Sequence, residues 1–434
     1  MSHSSPCLWT QLPQGRRSPC DRYKHACCSY DGNVYLLGGR ERRRVGDFWK
    51  YNVVRDEWTE LNSSSEAAPE ELEEHSMVAH EGFLYVFGGM LDSAYTKCRS
   101  ALWVFDIAKQ RWVQCQGKRS SPQRPSNRKG HSAVVIGAAM LIYGGLLDIT
   151  GTSQEFWRLD FDTTVWSLLS SPDSLSPGPR HSHSAVAYQG SMFLFGGLKG
   201  LQEQRDFWRW TSTNHTWTCL RRKSGPPRLM GHSAVVYRDS MLLFGGGESQ
   251  NFPKNCLWRY SFTTQSWVQV ASLPGSSPPN KLHHCCTGLG PSYAPIRCCS
   301  SSEPDPRRQE EKPRPFKNRC FPAPLTFLGS EGDIELKTFS PDRCDQSKSS
   351  SELDRCDGTG TGPQLRGSCL TFENKAFKKQ WSCKEEEEEE EEEVEEDEED
   401  DIRKHLPDLL LVLGGQPHSR NSPVSVWQMT LTES

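Results

Sequence analysis

The sequence predicts an all-β protein, a six-bladed β-propeller, and three observations carry that expectation. A pair of tryptophans nine positions apart occurs five times, each pair lies behind a Gly-Gly, and each Gly-Gly lies behind a histidine. The histidine stands thirteen residues before the first glycine every time, and the unit repeats every 49 to 56 residues. Fixed spacing inside the unit, with variable length between landmarks, marks one supersecondary unit copied around an axis.

The first unit carries His25, Gly38-Gly39 and Trp49/Trp58, and the second carries His75, Gly88-Gly89 and Trp103/Trp112. The third has His131, Gly144-Gly145 and Trp157/Trp166, and the fourth has His183, Gly196-Gly197 and Trp208/Trp217. The fifth has His232, Gly245-Gly246 and Trp258/Trp267. Each unit reads as four short strands. The run after the histidine is apolar and β-branched, as in Ser132 to Ile136, and suits an innermost strand buried on both faces. A hydrophobic strand ending in the glycines follows, where the absence of a Cβ permits close backbone approach near the axis. The third strand alternates large residues, as in Phe48-Trp49-Lys50-Tyr51, and the fourth has the form Trp-x-x-apolar, as in Trp58 to Leu61. Aromatic rings fill the wedge that widens between neighbouring sheets away from the axis.

The pattern of histidine, hydrophobic strand, Gly-Gly and spaced tryptophan pair resembles the kelch repeat over residues 7–290 and 406–434. The resemblance implies a kelch propeller that binds proteins or peptides on one face. An arginine three residues before the histidine recurs as Arg22, Arg128 and Arg180, and that position is Leu72, Leu229 and Asn280 in the other units.

The two ends set the blade count. Leu409 to Leu413 followed by Gly414-Gly415 reads as a second strand, and Val424 to Trp427 as a third, with no partner tryptophan before Ser434. Trp9-Thr10-Gln11-Leu12 has the outer-strand form without a blade of its own. The strand at 7–12 is therefore expected to complete the C-terminal blade, closing the ring and removing its open edge. His283-His284-Cys285-Cys286 matches His25-Ala26-Cys27-Cys28 and reads as the first strand of this sixth blade. About 115 residues then precede its glycines. Residues 291–405 are rich in Pro, Ser, Lys, Arg and Glu and end in sixteen acidic residues among the seventeen from Glu385 to Asp401. That composition buries too little apolar surface to offset ordering entropy, so a disordered insert is expected.

The chain of 434 residues holds no run of eighteen apolar residues, and Met1 to Arg17 lacks the apolar core of a signal peptide. Its 17 cysteines show no framework spacing, which predicts reduced thiols and a cytoplasmic or nuclear address. Cysteines 344, 356, 369 and 383 lack the close ligand pairs of a zinc site, so neither metal nor other cofactor is expected.

Net charge is −4, of which the acidic run contributes −16, leaving +12 elsewhere. In the blade geometry that the resemblance implies, the loop after Gly-Gly and the loop before the histidine share one face. Arg40, Arg42, Arg43 and Arg44 then join Arg16, Arg17 and Arg22 there, with Arg128 and Arg228 from other loops. Such a face favours carboxylates or phosphates through bidentate guanidinium contacts. Arg22, Arg128 and Arg180 also suit a second role, bracing loops at a repeat-defining position. No nucleophile elbow, phosphate loop or His-Glu-x-x-His is present, which argues against an enzyme.

Three binding roles stay open: a substrate receptor or adaptor for a ubiquitin ligase, a scaffold or effector in trafficking, cytoskeletal or small-GTPase pathways, and a nuclear binding protein. The expected partners are proteins with acidic segments or a free C-terminal carboxylate. Aromatic residues are committed to the core and do not interleave with the basic ones, which disfavours nucleic acid.

Overall fold

A computed structural model describes residues 6–89, 101–113, 123–147, 150–169, 175–221, 223–293, 402 and 405–432. These residues form six four-stranded antiparallel sheets, the blades, together with two short hairpins. Blade 1 takes Ala26–Tyr30, Asn33–Leu37, Phe48–Asn52 and Glu57–Leu61 in sequence order, and blades 2 to 5 repeat that order. In blade 6, Cys285–Leu289, Leu409–Leu413 and Val426–Thr430 are joined at the outer edge by Trp9–Leu12. Trp9 pairs with Met429 and Leu12 with Val426, so the N-terminal strand supplies the fourth strand of the last blade. The insert expected at 291–405, with its acidic run at 385–401, lies almost wholly outside the described residues.

Burial departs from expectation in one respect. The second strand of each blade, not the first, is the more fully buried, continuously so in Ala139–Tyr143 and Ser191–Phe195. First strands such as Ala26–Tyr30 and Ser184–Tyr188 are only partly covered. The first strand is an edge strand bordering the channel around the axis. The second has a strand on either side and a blade above and below.

Six apolar clusters hold the ring together, and each is shared by two neighbouring blades. One joins Phe48 and Leu61 of blade 1 to Leu84, Phe105 and Trp112 of blade 2. Another joins Val34 and Trp58 of blade 1 to Leu411 and Val426 of blade 6. Trp58, Trp112, Trp166, Trp217 and Trp267 are all buried, as the wedge-filling role requires. Phe207 of blade 4 packs edge-on against Tyr260 and Trp267 of blade 5, with centroids 4.7 and 5.2 Å apart, a geometry aromatic quadrupoles favour.

The start of the expected insert is built into the blade. Pro291–Tyr293 forms a 3₁₀ turn, and the Tyr293 ring covers Gly288, where an added Cβ would lie 2.0 Å from it. Ser292 donates from its amide and its hydroxyl to Asp408, at 2.9 and 2.6 Å. The two described ends of the interruption are thereby fastened to each other.

Candidate interaction face

The geometry of the loop face begins at the axis. The residue before His25, His75, His131, His183, His232 and His284 has a left-handed backbone: Lys24, Glu74, Gly130, Ser182, Gly231 and His283 all have φ between 51° and 63°. Their main chains form a closed circle. The Glu74 amide donates to the Lys24 carbonyl, Gly130 to Glu74, Ser182 to Gly130, Gly231 to Ser182, His283 to Gly231 and Lys24 to His283, at 2.7 to 2.9 Å. Each blade contributes one donor and one acceptor. Lys24 and Glu74 also pair through their side chains.

This circle corrects the alignment of the sixth repeat. His283 occupies the axial position, so His284, not His283, is the repeat histidine, and Cys285 rather than His284 matches Ala26. Lys281, not Asn280, then takes the arginine position. It is buried and donates from Nζ to the carbonyls of Gly415 and Pro417 and to Ser425 Oγ.

One step outward, each repeat histidine is wedged between two glycines. A Cβ on Gly88 would lie 2.6 Å from His131 Cε1 of the next blade, and one on Gly89 would lie 2.6 Å from His75 Cβ of its own blade. Imidazoles also link blades: His131 Nε2 lies 2.8 Å from Ser76 Oγ, and His183 Nε2 lies 2.9 Å from Ser132 Oγ. Burial pushes His75, His131 and His284 down to about 3 and His232 to about 4, so these rings are neutral in the folded protein.

Arg22, Arg128 and Arg180 are fully buried and face inward, not toward a partner. Arg22 and Arg128 therefore leave the expected binding surface. Each guanidinium reaches the carbonyl of the first glycine of its blade, as Arg128 Nη1 does to Gly144 at 3.1 Å. Each also pairs with a carboxylate: Asp47, Glu155 and Asp206 respectively. The same carboxylate accepts the indole N–H of the first tryptophan, Trp49, Trp157 or Trp208, at 2.7 to 2.9 Å. Burial alone would raise Asp206, but Arg180 and the Trp208 N–H outweigh it and hold the carboxyl below its usual value. A sequence signal for this brace existed. An acid two residues before the tryptophan occurs only in units 1, 3 and 4, which are the units with the arginine; the others have Ala101, Cys256 and Ser425.

The remaining basic candidates divide into two groups. Arg40 and Arg44 converge on the buried carboxylate of Glu73, with Arg40 Nε at 2.6 Å and Arg44 Nε at 3.6 Å, and Lys129 Nζ joins them at 2.6 Å. Burial opposes ionisation of Glu73, yet hydrogen bonds from Arg40 and Lys129 and the charge of Lys24 bring it down to about 2. This sector is mixed in charge, since Glu70 and Glu71 lie exposed in the same loop. Sequence reasoning missed these acids although they precede His75 and so fall on the loop face. Arg16, Arg17, Arg43 and Arg228 are exposed, with no carboxylate partner among the described residues, and Arg42 lies 3.7 Å from Glu41. Arg228 borders a polar cleft of about 280 Å³ whose other walls include Arg205, Gln202, Gln204, Phe207 and Leu220. Among the described residues no group of three or more His, Cys, Asp or Glu side chains could hold a metal, and no helix is long and apolar enough to cross a membrane.

Comparison with known proteins agrees with the fold. The family described as the KLHDC2/KLHL20/DRC7 Kelch-repeats domain matches residues 3–124 and 118–293. Kelch domain-containing protein 10 of Xenopus laevis is 24% identical over 226 residues, 50% of this chain and 54% of that protein. Kelch domain-containing protein 3 of Homo sapiens is 28% identical over 239 residues, 50% of this chain and 61% of that protein. Tip elongation aberrant protein 1 of Schizosaccharomyces pombe is 27% identical over 218 residues, 48% of this chain and 19% of that protein. The alignments thus span little more than half the length of the first two relatives and a fifth of the third. With the repeat, the ring of blades and the family match in agreement, the chain belongs to the KLHDC2/KLHL20/DRC7 Kelch-repeats domain family.

Proposed function

We propose that this chain is a non-catalytic protein-interaction module whose loop face binds an acidic segment or a free carboxyl terminus of a partner protein. The observation that carries the reading is the set of exposed guanidiniums on that face, at Arg16, Arg17, Arg42, Arg43, Arg205 and Arg228, none of which the blades need. Arg22, Arg128 and Arg180, which brace the blades, are by contrast buried and paired. A guanidinium presents a planar fork that matches a carboxylate, and such charge-assisted pairs are among the stronger polar contacts in proteins. A cytoplasmic or nuclear protein partner, presented to a ubiquitin ligase by an adaptor of this kind, is one use of the module.

The test is affinity purification from cells with mass spectrometry, comparing wild type with a variant in which all six of these arginines are changed to Glu. Partners lost with the variant at unchanged thermal stability are the expected result. Identical partner sets from both baits would overturn the reading. A cullin subunit retained by the variant while substrates are lost would support the adaptor role over a scaffold.

A further inference from the structure

We infer that recognition on this face is centred over blades 4 and 5, and that the site takes an extended protein segment presenting an acidic side chain flanked by bulky apolar ones. The inference rests on the preceding reading and narrows it to one sector and one partner chemistry. Four consecutive loops around the ring contribute.

The loop entering blade 4 carries Leu175, 69% exposed, and the loop after the blade 4 glycines carries Leu201, 96% exposed. The loop entering blade 5 carries Arg228, and the loop after the blade 5 glycines carries Phe252, 68% exposed. Single exposed apolar side chains are ordinary on a protein surface, but here three stand on four consecutive loops, two of which line the cleft that holds Arg205 and Arg228.

The apolar tips are held out by ordered backbone. Leu201 sits at the turn of a hairpin in which Leu198 pairs with Glu203 and Lys199 with Gln202. The Phe252 loop is closed by the Gly247–Pro253 bridge and by the Lys254 amide donating to Gly246 at 2.7 Å. A presented, preorganised apolar side chain loses little entropy on binding.

The cleft of about 280 Å³ between the loop after the blade 4 glycines and the loop entering blade 5 has room for one or two side chains and not for a folded domain. Arg205 and Arg228 have no carboxylate partner among the described residues, and Asp206, which also lines the cleft, is committed to Arg180 and Trp208. The sector over blades 1 and 2 differs, because Glu73 already occupies Arg40, Arg44 and Lys129. Charge complementarity therefore selects a carboxylate for the cleft, and the leucine and phenylalanine tips select apolar neighbours for it. Of the three tips only Phe252 could stack on a base, and two leucines beside it disfavour a nucleic acid.

The experiment pans a phage-displayed library of random dodecapeptides against the full chain, then measures enriched peptides by fluorescence anisotropy. Three double variants are compared with wild type: Arg205→Glu with Arg228→Glu, Leu201→Ser with Phe252→Ser, and Arg42→Glu with Arg43→Glu. Enriched peptides are expected to share Asp or Glu beside Leu, Phe or similar residues. Affinity should fall about tenfold or more in the first variant, several-fold in the second, and least in the third. Peptides lost only in the Arg42/Arg43 variant would overturn the blade 4–5 assignment while leaving the acidic-segment reading intact. No enrichment, or peptides indifferent to all three variants, would overturn both. A fluorescein-labelled single-stranded DNA 20-mer that binds wild type steeply with salt and is lost in the Arg205/Arg228 variant, with no peptide enriched, would assign the cleft to phosphate instead.

Discussion

At the scale of single residues, the histidine between two glycines and the arginine on its carboxylate set the sharpest constraints. Gly88 has φ +76°, and a Cβ there would lie 2.5 Å from the Arg128 carbonyl as well as 2.6 Å from His131. Gly88→Ala is therefore expected to destabilise by about 3 kcal/mol, read from the urea midpoint, through backbone strain and a clash with main chain that cannot move aside. Asp206→Asn should cost about 3 kcal/mol, because Arg180 is fully buried and would keep its charge without a counterion. A variant as stable as wild type would show that the brace contributes nothing. These roles were unevenly legible. The glycines and histidines announced themselves by spacing, since their packing repeats in every blade. Arg22 and Arg128 read first as loop braces at a repeat-defining position but also as surface charge, because the partner acids lie 25 and 27 residues away and only folding brings them together.

At the scale of elements, the Trp9–Leu12 strand connects the two ends of the described chain. Trp9 is 3% exposed and its ring lies 5.3 Å from Phe244 of blade 5, so one side chain ties the closing strand to the neighbouring blade. Trp9→Ala should lower stability by about 3 to 5 kcal/mol, with the thermal transition remaining single if ring closure is part of the same cooperative unit. A separate early transition would mean that blade 6 opens alone. Strand pattern made this element readable from four residues. The first strand of blade 6 was read one position out, because His283 and His284 are adjacent and only a left-handed backbone ahead of the strand distinguishes them. Pro291–Tyr293 escaped notice for a related reason, since the pocket for Tyr293 exists only where Gly288 leaves the sheet bare.

At the scale of the whole molecule, the buried histidines make stability depend on pH. His75, His131, His232 and His284 stay neutral in the fold down to about 3 or 4, whereas an unfolded chain takes up protons below about 6.5. Lowered folded values mean that this contribution is complete above about 6.5 and is lost as pH falls toward 4, at about 1.4 kcal/mol per pH unit for each ring. The melting temperature should therefore hold steady from pH 8 to 7 and fall steeply below 6.5. Glu73, near 2 in the fold, extends the loss to lower pH. A melting temperature flat between pH 7 and 5 would contradict the neutral assignment. The distribution of surface charge was the least legible property at this scale. Which cations stay free depends on acids from neighbouring blades, as Glu73 shows by collecting Arg40, Arg44 and Lys129 from two loops.

The circle of amides around the axis has a kinetic consequence. The amides of residues 24, 74, 130, 182, 231 and 283 each wait on the carbonyl of a neighbouring blade, and a closed loop has no terminal member from which to fray. Their deuterium uptake should therefore be slow and nearly synchronous, with a single opening free energy close to that of global unfolding, whereas turn amides on the outer strands exchange by local opening. Each of the six is then a reporter on every blade at once, and a ligand or variant that loosens one blade would register at all of them.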